Sequence, residues 1–180
     1  KPSLFSGTGI TIDDGKYYVK RMIELGVDGI EVMAGAGNKV MPNDDDLPFT
    51  ASRPMAMAPL AKMYREYARS IFGEDLKTQF IAGGDIRTAD VIENAFANDI
   101  CDFVFIGKSC VVEPHFVRLL QEGRDREIHP CIGCYVCASD QLATGAHCYC
   151  SGNGAMACGS HFDLPPAEKV KKVVVVGGGP

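Results

Sequence analysis

Three short apolar runs, Gly29-Ile-Glu-Val-Met33, Thr78-Gln-Phe-Ile-Ala82 and Phe103-Val-Phe-Ile106, alternate with helix-patterned stretches along the chain. This alternation constrains the fold more than any other feature. A helical crossover returns the chain in its original direction, so successive strands of this kind pair in parallel. Thr11 predicts a helix cap with Asp14 three residues on; Tyr18, Met22 and Leu25 recur at helical spacing, and Gly26 is a natural stop. A second helix carries Leu60, Met63, Tyr64, Tyr67 and Ile71 and ends at Gly73, after a loop from Lys39 to Pro54. Thr88 predicts the cap of a third, with Val91, Ile92, Ala95 and Phe96. A fourth begins near Pro114, buries Phe116, Leu119 and Leu120, and stops at Gly123. The order β-α-β-α-β-α suits an open doubly wound sheet or a barrel.

Two strand ends bear on ligands and favour the barrel. One strand runs into Gly83-Gly84-Asp-Ile-Arg87 and the next into Gly107-Lys108-Ser109. Glycine lets backbone N–H groups face an anion, and a TIM barrel commonly builds its phosphate site from the loops after strands seven and eight. A strand-to-helix turn also uses glycine for its own geometry, so the tandem is a stronger signal than either loop.

The densest chemistry lies at Cys131-Ile-Gly-Cys134-Tyr-Val-Cys137, with Cys148-Tyr-Cys150 farther on. A cubane iron–sulfur cluster takes four thiolates from several directions, and a C-x-x-C-x-x-C loop can wrap three iron corners while a distant cysteine closes the fourth. Electron transfer is the function this spacing points to. Zinc competes, although structural zinc sites usually pair two C-x-x-C knuckles across a longer gap. A disulfide framework is a third reading, but no signal-peptide pattern and no membrane-length apolar run supports export. The net charge of -5 argues against a nucleic-acid partner.

Near the C-terminus, Lys171-Lys172-Val-Val-Val-Val-Gly177-Gly-Gly179-Pro180 reads as a buried parallel strand entering a glycine turn, the way a dinucleotide-binding Rossmann unit opens. The chain is therefore expected to be an internal piece of something longer. Other conspicuous residues have blander readings. His115, His129, His147 and His161 share no spacing and suit surface or structural roles. Asp44 to Asp46 read as a solvated acidic run, and Met55 and Met57 as gap fillers or substrate contacts.

Taken in order, Ile81-Ala-Gly-Gly-Asp-Ile-Arg87, Phe105-Ile-Gly-Lys-Ser109, Pro114-His-Phe116, the cysteine loop, Cys150 and Val173 to Pro180 resemble the multidomain Old Yellow Enzyme-like NADH:flavin oxidoreductases. That group includes 2,4-dienoyl-CoA reductase, 2-enoate reductase and trimethylamine dehydrogenase. The resemblance implies an α/β fold: the C-terminal part of an FMN-binding TIM barrel, strands six to eight, over residues 1–125. A 4Fe-4S segment and linker follow over 126–165, and the truncated start of an FAD- or NAD(P)-binding domain over 166–180. It implies that Gly83 and Gly84 form the first FMN-phosphate loop and Gly107 with Lys108 the second, that Gly177 and Gly179 belong to a nucleotide turn, and that Cys131, Cys134, Cys137 and Cys150 ligate the cluster. Cys150 is preferred to Cys148 because its spacing matches the amine dehydrogenases. Lys108 stands where the family usually has arginine, which keeps the charge and loses the bidentate fork. Cys101, Cys110 and Cys158 are left as packing or free thiols.

The implied activity is an oxidoreductase coupling FMN-based substrate chemistry to one-electron transfer through the cluster, to or from a second nucleotide site carrying FAD, NAD(P)H or ADP. Its direction is either enoate- or dienoyl-type C=C reduction with NAD(P)H or amine dehydrogenation. The expected partners are a small-molecule substrate and NAD(P)H or an electron-transfer flavoprotein, with homo-oligomerisation and a cytoplasmic location and without nucleic acid or membrane. The catalytic residues belong mostly to barrel strands one to five. The acid that amine dehydrogenases would place at the end of the first strand here has no counterpart in Ala34-Gly-Ala-Gly37. A phosphate-binding barrel isomerase and a structural zinc module are the alternatives.

Overall fold

The computed structural model describes residues 10–33, 54–134, 136–137, 148–156 and 168–177. Ala34 to Gly37, Asp44 to Asp46, His147, Cys158, His161 and Gly179 lie outside the described residues. Helix α1 spans Ile12–Glu24, strand β1 Gly29–Glu31, α2 Ala58–Phe72, β2 Gln79–Gly83, α3 Ala89–Ala97 and β3 Phe103–Phe105. Two short helices, α4 (Lys108–Val112) and α5 (Phe116–Gln121), and a single 3-10 turn at Asp125–Glu127 follow.

The strands form one sheet in the order β1-β2-β3, parallel throughout. Ile30 pairs with Phe80, and Ala82 with Val104. Sequential order without a switch point means that every helix returns the chain to the next position in one direction. All three strand C-termini, and the loops after them, therefore share one rim. Phe80 and Ala82 of β2 are fully buried, with Ile30 beside them, against Val19 of α1 and Leu60, Ala61, Tyr64 and Ala68 of α2. Gly15 permits the close approach of these two helices, since a β-carbon there would stand 1.9 Å from the Tyr64 hydroxyl.

Local signals explain the ends of the elements. Thr11 and Asp14 form a complete capping box, with the Asp14 N–H donating to Thr11 Oγ1 at 3.1 Å and the Thr11 N–H to Asp14 Oδ2 at 2.8 Å. Gly26, Gly73 and Gly123 all follow helices with positive φ. Thr88 occupies the N-cap of α3 as expected, but its hydroxyl makes no capping bond.

Several expectations need correction. The buried stripe of α1 runs through Val19, Met22 and Ile23, while Tyr18 and Leu25 are exposed. Ile71 and Phe96 are also more exposed than their periodicity implied. The fourth helix expected from the sequence is α5, whereas α4 is a short helix the sequence did not announce, separated from α5 by extended backbone at Glu113 immediately before Pro114. The valine run does not form the buried strand read from the sequence: Val173 to Val176 are 77% to 95% exposed and none pairs with β1, β2 or β3. A strand must share its N–H and C=O groups with a neighbour, and the described residues offer this segment none. Among the described residues, no helix is long and apolar enough to cross a membrane.

Candidate functional site

The rim beyond β2 and β3 gathers the residues to which the sequence drew attention. Each glycine of the first loop has a steric reason to be there. A β-carbon on Gly83 would meet the Phe105 ring at 2.2 Å, and one on Gly84, at φ 109°, would stand 3.0 Å from the Ala56 nitrogen. The Gly84 carbonyl accepts from the Met55 N–H at 2.6 Å, which ties the loop to the turn before α2. Met55 and Met57 are buried here, which supports the gap-filling reading.

Asp85 is the residue the sequence reading passed over. It sits at φ 48° with its side chain 3% exposed. Its carboxylate takes Arg87 at 3.1 Å from Nε and 2.8 Å from Nη2, and Lys108 Nζ at 2.9 Å. Burial alone would push the Asp85 carboxyl up, but hydrogen bonds and charge from Lys108 and Arg87 hold it below the ordinary carboxylate value. The two expected phosphate loops are therefore joined by one ion triplet carrying a net single positive charge. Ser109, almost fully buried, adds a second tie by donating from its hydroxyl to the Ile86 carbonyl. Gly107 is the N-cap of α4. Gly177, in the exposed C-terminal segment, has φ 86° and is not part of this rim.

Lys108 also lines a second feature. Together with Val111 and Val112 of α4, it walls a small pocket open to solvent, whose remaining lining includes Cys131, Cys134, Cys137 and Cys150. The four thiols singled out from spacing thus face one space from two stretches of chain. Cys150 reaches it through a turn: it bridges to Asn153, whose side-chain amide donates to the Val111 carbonyl at 2.9 Å. Gly152 packs on Val112, where a β-carbon would lie 2.8 Å from the valine methyl. Cys148 sits beside the group and donates from Sγ to the Cys137 carbonyl at 2.9 Å. No three His, Cys, Asp or Glu side chains among the described residues are drawn close enough to hold a metal ion. The thiols therefore face a common space without closing a cage.

The pocket disfavours an uncompensated thiolate at Cys137. Burial pushes the Cys137 thiol up, and the neighbouring Cys148, Cys150, Cys131 and Cys134 push it further. Several thiolates in one space repel one another, and a soft metal centre converts that repulsion into ligation. Cys134 is held below the usual thiol range by the Val136 N–H and then the Ser151 hydroxyl. Cys101 and Cys110 are raised chiefly by burial, as befits packing thiols. His129 is exposed and lies 3.2 Å from Glu113, whose other oxygen accepts from the His115 N–H at 3.0 Å. Both histidines thus fit the structural reading.

The arrangement defines an α/β rim that joins a cationic loop pair to a cluster of thiols. No protein-family model matches the chain. It is 28% identical over 176 residues to an NADH oxidase of Thermoanaerobacter brockii, a match covering 96% of this chain and 25% of that protein. It is 30% identical over 98 residues to a multifunctional alkene reductase/demethylase OYE of Caballeronia cordobensis, covering 53% of this chain and 13% of the relative. The fold matches histamine dehydrogenase from Rhizobium sp. 4-9 with a TM-score of 0.66 at 20% identity, over 86% of this chain and 21% of that one. The chain is a relative of the Old Yellow Enzyme-like NADH:flavin oxidoreductases. It spans about a quarter of the length of the NADH oxidase it matches.

Proposed function

We propose that this chain supplies the phosphate end of a flavin site and the thiol ligands of a 4Fe-4S cluster in a flavin-dependent oxidoreductase. The observation that carries this reading is the shared pocket of Cys131, Cys134, Cys137 and Cys150, whose wall includes a lysine bound to the glycine loop of β2. In it, β1 to β3 belong to a TIM barrel, consistent with their strictly sequential parallel order. FMN supplies two-electron chemistry and the cluster one-electron transfer. The residues of this chain bind and orient both. Gly83 and Gly84 leave room for the loop, Gly107 and Lys108 face the phosphate, and Asp85 holds the Lys108 ammonium and the Arg87 guanidinium in place. Gly177 and Gly179 are assigned to the turn of a second nucleotide site for FAD, NAD(P)H or ADP.

The likeness to an NADH oxidase along nearly the whole chain favours pyridine-nucleotide-driven reduction of a small molecule, and the likeness of about half the chain to an alkene reductase makes activated C=C bonds the leading substrate class. Amine dehydrogenation is the second reading, favoured by the two-residue interval between Cys134 and Cys137. Anaerobic purification of the protein from its complete reading frame tests the proposal. About four irons and one FMN per chain are expected; zinc without flavin would overturn it. NADH consumption with an enoate, set against reduction of a dye by an amine, separates the two substrate classes.

A further inference from the structure

We infer that Lys108 is a cation shared by two centres, so that anion binding at the glycine loops and electron uptake at the cysteine pocket depend on each other. The inference deepens the function proposed above and rests on it.

Three observations converge on this residue. Its ammonium is fixed 2.9 Å from Asp85, a carboxylate buried in the loop after β2. Lys108 also lines the pocket of Cys131, Cys134, Cys137 and Cys150, and its side chain is only 20% exposed. Arg87, the other cation on Asp85, presses on the cysteine loop itself: a β-carbon at Gly133 would stand 2.6 Å from its Nη2. The carboxylate thus fastens one cation to the pocket wall and the other to the backbone of the C-x-x-C turn. Solvent has little access to the Asp85 carboxylate, so screening is weak and the Lys108 charge acts on both sides.

The chemical consequence is reciprocal. Each electron added to a thiolate-bound cluster adds a negative charge, which Lys108 stabilises. A phosphate at the loops draws on the same cation and leaves less of it for the cluster. Linkage then requires that cluster reduction weaken phosphate binding by the factor through which phosphate disfavours reduction. Lys108 is a positioning and tuning residue in this scheme, with no part in bond making.

The test uses the protein from its complete reading frame, with Lys108→Met, Lys108→Gln and Lys108→Arg. FMN affinity is read from flavin fluorescence quenching, and the cluster potential from an EPR-monitored redox titration with and without FMN. Lys108→Met is expected to shift the cluster equilibrium about tenfold towards the oxidised form, a fall of ~59 mV for a one-electron couple, and to weaken FMN several-fold. Lys108→Arg is expected to restore both, and Lys108→Gln serves if the methionine variant does not fold. A variant that loses FMN affinity with an unmoved cluster potential overturns the inference and leaves the proposed function intact. Wild-type protein without iron overturns both.

Discussion

The guanidinium of Arg87 lies against the bare α-carbon of Gly133, where any side chain would collide with Nη2. Gly133 also has φ 71°, a conformation that costs an L-residue about 1–2 kcal/mol. Gly133→Ala is therefore expected to lower the iron content of the purified protein by more than half and to reduce its thermal midpoint. Arg87→Ala in the same chain removes the collision but not the backbone strain, so it should recover part of the iron. Full iron retention by the single variant would show that the contact does not shape the cysteine turn.

Asp85 gives the rim an acid-side dependence with a definite sign. Its carboxyl is held below its ordinary value in the fold, so its stabilising contribution is complete above the unfolded value of ~3.9 and fades as pH falls through the folded value. The urea midpoint of wild type minus that of Asp85→Asn should be constant from pH 7 to 5 and shrink below about pH 4. A difference that grows on acidification would contradict the ion triplet.

Arg65 is a different matter, because it sits on the opposite side of the sheet's chemistry. Its guanidinium, 8% exposed, reaches Asp99 and stands 2.6 Å from Asp102, while Asp102 also accepts the Phe80 N–H at 2.8 Å. This cluster fastens α2 to the start of β3 and to β2. Removing one partner of a buried ion pair commonly costs about 3–5 kcal/mol. The partial exposure of Asp102 and the exposure of Asp99 place Arg65→Met nearer ~2 kcal/mol. Equilibrium unfolding in urea measures the loss, and iron and flavin content should be unchanged in the protein that remains folded.

The thiols should separate by reactivity. In metal-free protein, Cys134 is exposed and its thiolate is favoured by the Val136 N–H and the Ser151 hydroxyl, whereas Cys101 is buried and raised. Timed alkylation with iodoacetamide followed by peptide mass mapping should label Cys134 first and Cys101 last. Equal rates would mean that Cys101 is as open to solvent as Cys134.

What the sequence revealed followed the range of the signal. The Thr11–Asp14 box and the glycine stops are local, and each could be read from a few adjacent residues. The three strands were legible because apolar runs bounded by glycine leave few alternatives. The phase of α1 was not: positions 18, 22 and 25 satisfy helical spacing as well as 19, 22 and 23 do, and only the packing against α2 decides between them. Asp85 looked like part of a turn because one of its partners, Lys108, lies beyond α3 and β3. Cys131, Cys134 and Cys137 announced themselves by spacing, while the route of Cys150 to the same pocket depends on Asn153, a residue with no visible signature.

That Asn153 contact bears on how the pocket is held. Because the Asn153 side-chain amide donates to the Val111 carbonyl, the turn that carries Cys150 is tied to α4. Cys131 and Cys134 flank a glycine packed against Arg87, so the thiols that line the pocket rest on two separate supports, one set by the ion triplet of the rim and one by a single side-chain amide.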